Sequence, residues 1–360
     1  IFGLLVVAVL AYAFFRVKTQ FDLFKTFEFK NDHLCTRHDV PHQVEDFVRF
    51  GDVLVGGMAN NIDLFIDPTK GPSVTKDGAL VAVKADPYSF EIIKIKDFPE
   101  GVAFNPFGNN LYKKSTLNVV NYAYSRGGTR IEVFDLRKHD GEVEAKHIKS
   151  IKFGPEFEGI INSVIQVGDN DYYINTWHPF ADSPEGRAHD PWTSMKRAFL
   201  WTFTRSTYLW HCKVSKDAPT CYKVYAGRIM NGMDISGDKL YVADGGDKKI
   251  LEYQLEADKT VTLISEINLD LNIDNVSVGK DGKIYATGPI LMTEVVQRFS
   301  GGNNKISTSV AELERRGDHW VAVNIISQDK VSGASVAAPL GDYLVLGSFE
   351  DTAIGVCRKP

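Results

Sequence analysis

The chain has little cysteine, four residues in 360, and no excess of either charge, with 41 Lys and Arg against 46 Asp and Glu. Near neutrality, and the lack of a Lys/Arg stripe interleaved with aromatics, exclude a nucleic-acid surface. No G-x-S-x-G element occurs, which removes the nucleophile elbow of an α/β hydrolase. A long uninterrupted apolar run occurs only at the beginning, IFGLLVVAVLAYAFF, followed by Arg16 and Lys18. At 1.5 Å per residue it spans about 22 Å, short of the roughly 30 Å hydrocarbon core of a bilayer. Either more apolar sequence precedes Ile1, or the run is the core of a secretory leader, with Ala11-Tyr12-Ala13 resembling a cleavage site. We expect an uncleaved signal anchor over residues 1–18, a linker over 19–34 and the folded body over 35–360, on the lumenal side of the endoplasmic reticulum or outside the cell. A buried core helix is the alternative.

What the chain does have is one phrase repeated six times. NGMDISGDKLYVAD, residues 231–244, reads as a strand, a Gly-Asp turn and an alternating return strand, which is a hairpin. Similar phrases turn at Gly51-Asp52, Gly108-Asn109, Gly168-Asp169, Gly282 and Gly341-Asp342. Successive turn glycines lie 57, 60, 69, 45 and 59 residues apart, room for one four-stranded sheet each. One such sheet cannot bury its own faces, so six of them predict an all-β fold, a six-bladed β-propeller.

Glu45, Asn162, Asn231 and Ser335 each stand six positions before their turn glycine, Asn275 seven and Glu100 eight. Equivalent positions of equivalent blades form a ring, here Glu45, Asn162, Asn231, Asp274 and Asn275, with Glu100 and Ser335 completing it. Carboxylates mixed with amide carbonyls suit a hard cation, and Ca²⁺ takes about 6–8 oxygens. The bland alternative, that Asn and Asp merely make turns, does not account for the shared register.

The longest interval holds the aromatic segment 178–211. Asp190-Pro191 reads as an N-cap with Pro at the first helical position. A helix is expected next, with Trp192, Met195, Phe199 and Leu200 on one face. These residues either cover the tunnel as a small satellite core or, with Trp177, Trp201 and Trp210, form a lid that meets a membrane or a partner. Cys35 and Cys357 flank the repeats, so a bond between them would tie the ring closed; Cys212 and Cys221 could clip a hairpin. Four free buried thiols are the alternative.

The pieces Val44-Glu45-Asp46, Met230-Asn231-Gly232, Asp274-Asn275-Val276-Ser277-Val278 and the terminal cysteines resemble the paraoxonase family, six-bladed calcium-dependent lactonases and arylesterases with an uncleaved leader. The resemblance implies a calcium on Glu45, Asn162, Asn231, Asp274 and Asn275. It implies a second, weaker calcium on Asp46 and the backbone carbonyl of Val102, since Ser163 stands where the family has a third, acidic ligand. The family's histidine positions carry Glu100, Tyr122 and Gly288 or Pro289, so no catalytic residue is assigned. A phenol is no substitute for imidazole as a base at neutral pH. The chain is thus closest in character to the nematode paraoxonase-like proteins that assist DEG/ENaC mechanosensory channels. The expected function is a chaperone or accessory subunit of a membrane protein such as an ion channel. The alternatives are a calcium-dependent lactonase or arylesterase, and a lipid or lactone binder without catalysis.

Overall fold

The structure, a computed structural model, describes residues 2–67, 78–123, 126–215 and 218–360, with side chains from residue 6 onward. Six sheets, antiparallel but for one added edge strand, follow one another along the chain, and each runs from an innermost strand outward. The innermost strands are Gln43–Phe50, Pro106–Tyr112, Ile161–Gln166, Met230–Ser236, Asn275–Val278 and Ala334–Leu340. This is the expected six-bladed propeller. The hairpins form because apolar residues alternate through both strands, and in five of the six blades a turn residue adopts a left-handed backbone, as at Gly51 (φ 65°) and Gly237 (φ 60°). The sheet faces bury against their neighbours: Val44, Leu54 and Val81 of the first blade pack with Val336, Val345 and Ile354 of the sixth.

The sixth blade takes its outermost strand, Cys35–Asp39, from the start of the repeats, paired antiparallel with Ala353–Arg358. Cys35 faces Cys357 in that register, and a disulfide joins them. Cys212 and Cys221 are likewise opposite one another and bonded.

The second blade departs from the expected reading. Gly108-Asn109 lies inside the innermost strand, and the turn comes later, at Lys113, whose φ is 57°. The second blade is also five-stranded, because Lys94–Lys96 adds in parallel to its outer edge.

Among the described residues four α-helices each contribute to the lining of the tunnel-mouth cavity: α1 (Phe2–Gln20), α2 (Asn61–Ile66), α3 (Pro191–Phe203) and α4 (Met292–Phe299). Among the described residues no helix is long and apolar enough to cross a membrane; the first residues of the 1–18 run lie outside the described side chains. The end of α1 docks on α3, where Arg16 Nε and Nη2 both donate to Thr202 O at 3.2 Å. Just beyond, Asp22 accepts from Asn272 Nδ2 at 2.6 Å and from Met292 N at 3.3 Å.

Helix α3 begins as the sequence indicates, with Asp190 Oδ1 accepting from Thr193 N at 3.0 Å and Pro191 in the first turn. Of the two expectations for it, the satellite core is not what forms. Trp192, Met195 and Phe199 are 70%, 62% and 60% exposed, and the helix buries Arg197 and Thr202 instead. A buried ion pair, described below, decides which face turns inward.

Candidate metal centre and mouth cavity

The ring residues share a structural cause. Five of the six innermost strands carry a β-bulge at one place, where register with the second strand slips: at 44–47, 106–109, 161–164, 230–233 and 334–336. A bulge turns extra side chains out of the ladder and re-aims them. The residues so released include Glu45, Asn162, Asn231 and Ser335. Asp274 and Asn275 open the innermost strand of the fifth blade.

In the second blade the bulge releases Phe107, six positions before the true turn at Lys113. Glu100 therefore does not stand in the ring; it is an exposed residue of the preceding loop. The misreading came from Gly108-Asn109, which imitates a hairpin dipeptide; counting back six from Lys113 would have found Phe107.

The five expected ligands converge. Asn275 Nδ2 donates to Glu45 Oε1 at 2.9 Å, and the Asn231 side chain donates to the Asp274 carboxylate. Gly232 permits this approach, since a Cβ there would lie 1.9 Å from Asn275 Oδ1. Ser335 Oγ serves the floor differently, donating to Glu45 O at 2.5 Å. Three ring oxygens, Glu45 Oε2, Asn162 Oδ1 and Asn231 Oδ1, are buried without a hydrogen-bond partner. Orphaned acceptors are costly, and three at one spot in an oxygen-only donor set fit a hard cation. Among the described residues no three acidic, His or Cys side chains gather as a metal site. Here two carboxylates are supplemented by three amides.

The acids report the same strain. Burial, and then the charge of Asp274, push Glu45 from its ordinary 4.5 up to about 8. Burial, and then the charge of Asp46, push Asp274 up to about 7. No neighbouring cation relieves either carboxyl.

Asp46 is placed otherwise. Its Oδ1 accepts from Phe47 N at 2.8 Å and its Oδ2 from Asn109 N at 3.0 Å, so it clips the first blade to the second. Burial, then the Glu45 charge, hold it well above 3.8. Asp234 repeats the clip between the fourth and fifth blades, accepting from Ile235 N and Val278 N, both at 2.7 Å. Val102 lies partly exposed in the loop before the second blade, and no described contact joins it to Asp46. Ser163 Oγ is buried without a partner.

Above the ring opens a cavity of about 430 Å³, with Glu45, Asn162, Asn231 and Asp274 at one end and mainly apolar walls. Of the family's histidine positions, only Pro289 lines it. Tyr122 is fully buried, its hydroxyl donating to Gly159 O and its ring packed on Phe65 and Phe107. At Gly288 a Cβ would meet Asn272 O at 2.0 Å.

Sequence reasoning missed the cavity's charged wall. Asp182 accepts from Arg187 Nε and Nη2 at 3.0 Å each and from Arg197 Nη1 at 2.6 Å. Burial pushes the Asp182 carboxyl up, but the two guanidinium charges outweigh it and hold the group below its ordinary 3.8. His178 Nε2 faces Arg187 Nη2 at 3.0 Å, and its ring stacks on Trp177. Burial first, then the charges of Arg197 and Arg187, hold His178 well below its ordinary 6.5, so it is neutral. No local pattern signals this cluster, because Arg187 and Arg197 stand 5 and 15 residues after Asp182, one in an irregular loop and the other in α3.

A family model described as arylesterase matches residues 71–295. The chain is 28% identical over 193 residues to serum paraoxonase/arylesterase 2 of Gallus gallus, covering 52% of this chain and 49% of that protein. It is 24% identical over 235 residues to serum paraoxonase/arylesterase 1 of Mus musculus, covering 61% of each. The matches thus span about half the length of the first relative and three-fifths of the second. Among solved structures it is similar to a luciferin-regenerating enzyme, 11% identical with a TM-score of 0.47 over 90% of this chain and 95% of that one. It is also similar to virginiamycin B lyase from Staphylococcus aureus, 9% identical with a TM-score of 0.44 over 92% and 100%.

Proposed function

The chain belongs to the arylesterase family, matched over more than half its length, and from that membership and the ring we propose that it is a calcium-binding propeller that works as a chaperone or accessory subunit of a membrane protein rather than as a hydrolase. The observation that carries this reading is the cavity itself. It holds a set of unpartnered oxygens fit for Ca²⁺, yet the positions that supply histidine in the family hold an exposed Glu100 and a buried Tyr122. Bound calcium would act as a Lewis acid on a carbonyl. Glu45 and Asp274 would be taken up as its ligands, and neither Glu100 nor Tyr122 lines the cavity to move a proton there.

The membrane part of the proposal rests on the outer helices. Val7, Leu10, Phe14 and Phe15 of α1, Trp192 and Phe199 of α3, and Val296 of α4 are all exposed. Gln20 at the end of α1, Met195 of α3 and Val296 of α4 also line the mouth cavity, so these helices rim one opening. Apolar surface of this kind, not covered by the chain itself, marks contact with a membrane or an embedded partner. The partner we favour is an integral membrane protein, a DEG/ENaC-type channel subunit among the candidates, met on the lumenal or extracellular side where the two disulfides persist. A tether raises the effective concentration of such a partner.

Two measurements test the reading. Hydrolysis of aryl esters and lactones with calcium present is expected below about 1 s⁻¹, the low end of ordinary enzymes. Turnover above that, abolished by Asp274→Asn at the ring, would establish the hydrolase instead. Crosslinking pull-down of the full chain beside a Trp192→Ala, Trp201→Ala variant and a form with residues 1–18 replaced by a cleavable leader should show partner recovery reduced in both. Undiminished recovery from both would refute the accessory role.

A further inference from the structure

Two guanidinium groups at the tunnel mouth share one carboxylate. Arg187 and Arg197 both pair with Asp182, all three side chains are at least nine-tenths buried, and the trio keeps a net positive charge. Among the described residues the other neighbours of the two arginines do not cancel it: His178 is neutral and Phe180 contributes only a carbonyl, accepting from Arg197 Nη2 at 3.4 Å. Arg197 Nε is buried without a partner. Arg187 spends Nε and Nη2 on Asp182 and His178, which leaves Nη1 unspent. Arg187 lines the cavity, and its guanidinium lies over the rings of Phe299 at 4.4 Å and Phe65 at 5.1 Å.

An unbalanced buried cation is costly, and aromatic faces offset only part of the cost. A ligand anion would balance it. Between this charged wall and the ring oxygens at the other end, the cavity wall is mainly apolar and aromatic, including Trp177, Trp201, Met292 and Phe299, so a headgroup on Arg187 would keep to the wall away from Glu45 and Asp274; the volume of about 430 Å³ lies within the range of sites for small amphiphiles. One net charge calls for a monoanion, and a planar guanidinium suits a carboxylate. We propose that the mouth cavity binds a medium-chain fatty carboxylate, its headgroup on Arg187 and its chain along the aromatic wall. The proposal does not depend on metal in the ring.

Dodecanoate, dodecanol and dodecyltrimethylammonium are titrated into the full chain, below their aggregation limits, with calcium and again with chelator. Trp177 and Trp201 fluorescence and calorimetry report binding. Dodecanoate should bind at one site, at least tenfold more tightly than the alcohol, and the cation not at all. Arg187→Met should bring dodecanoate down to the level of the alcohol; Asp182 keeps Arg197 in this variant, and the melting curve verifies the fold. If that variant does not fold, Val296→Glu, at an exposed position of the rim, supplies a repelling charge and should weaken dodecanoate while sparing dodecanol. Equal binding of acid and alcohol, absence of dodecanoate binding, or dodecanoate affinity untouched in every folded variant would overturn the proposal. Loss of calcium binding with dodecanoate binding intact would defeat the reading of the ring and leave this one standing.

Discussion

The floor of the tunnel and its mouth are built in opposite ways. The floor is repeated: one bulge, on the innermost strand of blade after blade, delivers Glu45, Asn162 and Asn231 to the axis. Its surplus is negative, with Glu45 and Asp274 facing each other and no cation beside them. The mouth is built once, from α3 and the loop before it, and its surplus is positive, with Arg187 and Arg197 on a single Asp182. A repeat can place like groups in a ring, which suits a spherical ion. An insertion can place one charge on one side of a cavity, which suits an elongated ligand.

The largest effect that would separate the two belongs to the mouth. Asp182→Asn leaves two buried guanidiniums without a carboxylate, so unfolding by denaturant should show a loss of about 3–5 kcal/mol. Calcium affinity of the folded fraction should be unchanged. A parallel loss of calcium binding would show that floor and mouth are one unit.

Gly232→Ala acts on the floor instead. Its Cβ would collide with Asn275 Oδ1, and overpacking of this kind costs about 1–3 kcal/mol. Calcium affinity should fall with it, measured by titration, while the Arg187 wall stays intact.

The pH dependence should also distinguish them. Glu45 has a folded-state pKa of about 8 against an ordinary 4.5, so the folded, metal-free protein binds more protons than the unfolded chain across that window. Stability without metal is therefore fullest below about pH 4.5 and is lost as pH rises through about 8, and Asp274 adds a similar loss up to about 7. Calcium requires the ionised carboxylates, so its affinity should rise over the same window. Melting temperatures recorded from pH 5 to 8.5 should fall with chelator and stay nearly level with saturating calcium, because the calcium-bound and the unfolded chain then both carry these carboxylates ionised; parallel curves would remove the acids from the metal site.

The smallest effect on stability is at the outer surface. Trp192→Ala should change the unfolding free energy by no more than about 0.5 kcal/mol, as for an ordinary exposed position. A larger loss would mean that α3 packs by its aromatic face after all.

The repeated part of this molecule could be read from its sequence, and the unrepeated part could not. Glu45, Asn162, Asn231 and Ser335 announce themselves by a fixed distance to a turn glycine, because a hairpin of fixed length links the bulge to its turn. Phe107 escaped notice because its turn residue is Lys113 in a left-handed conformation, while Gly108-Asn109 offered a false one inside a strand. The helical spacing of Trp192, Met195 and Phe199 located α3 correctly but left open whether that face turns inward. The periodicity of apolar residues says which side of a helix is uniform, and here a pair of charges satisfied by Asp182 outweighed it. Both cysteine pairs could be read, since each joins residues that lie opposite one another on adjacent strands.

The most direct test of the whole account is a calorimetric calcium titration of the chelated protein beside Glu45→Gln, followed by melting of both with and without the metal. The account predicts one calcium per chain for the unaltered protein, affinity reduced on the order of 100-fold in the variant, and a stabilisation of about 2.7 kcal/mol at a free calcium concentration one hundred times the Kd. A chain that binds no calcium, or that binds it equally well without the Glu45 carboxylate, would contradict it.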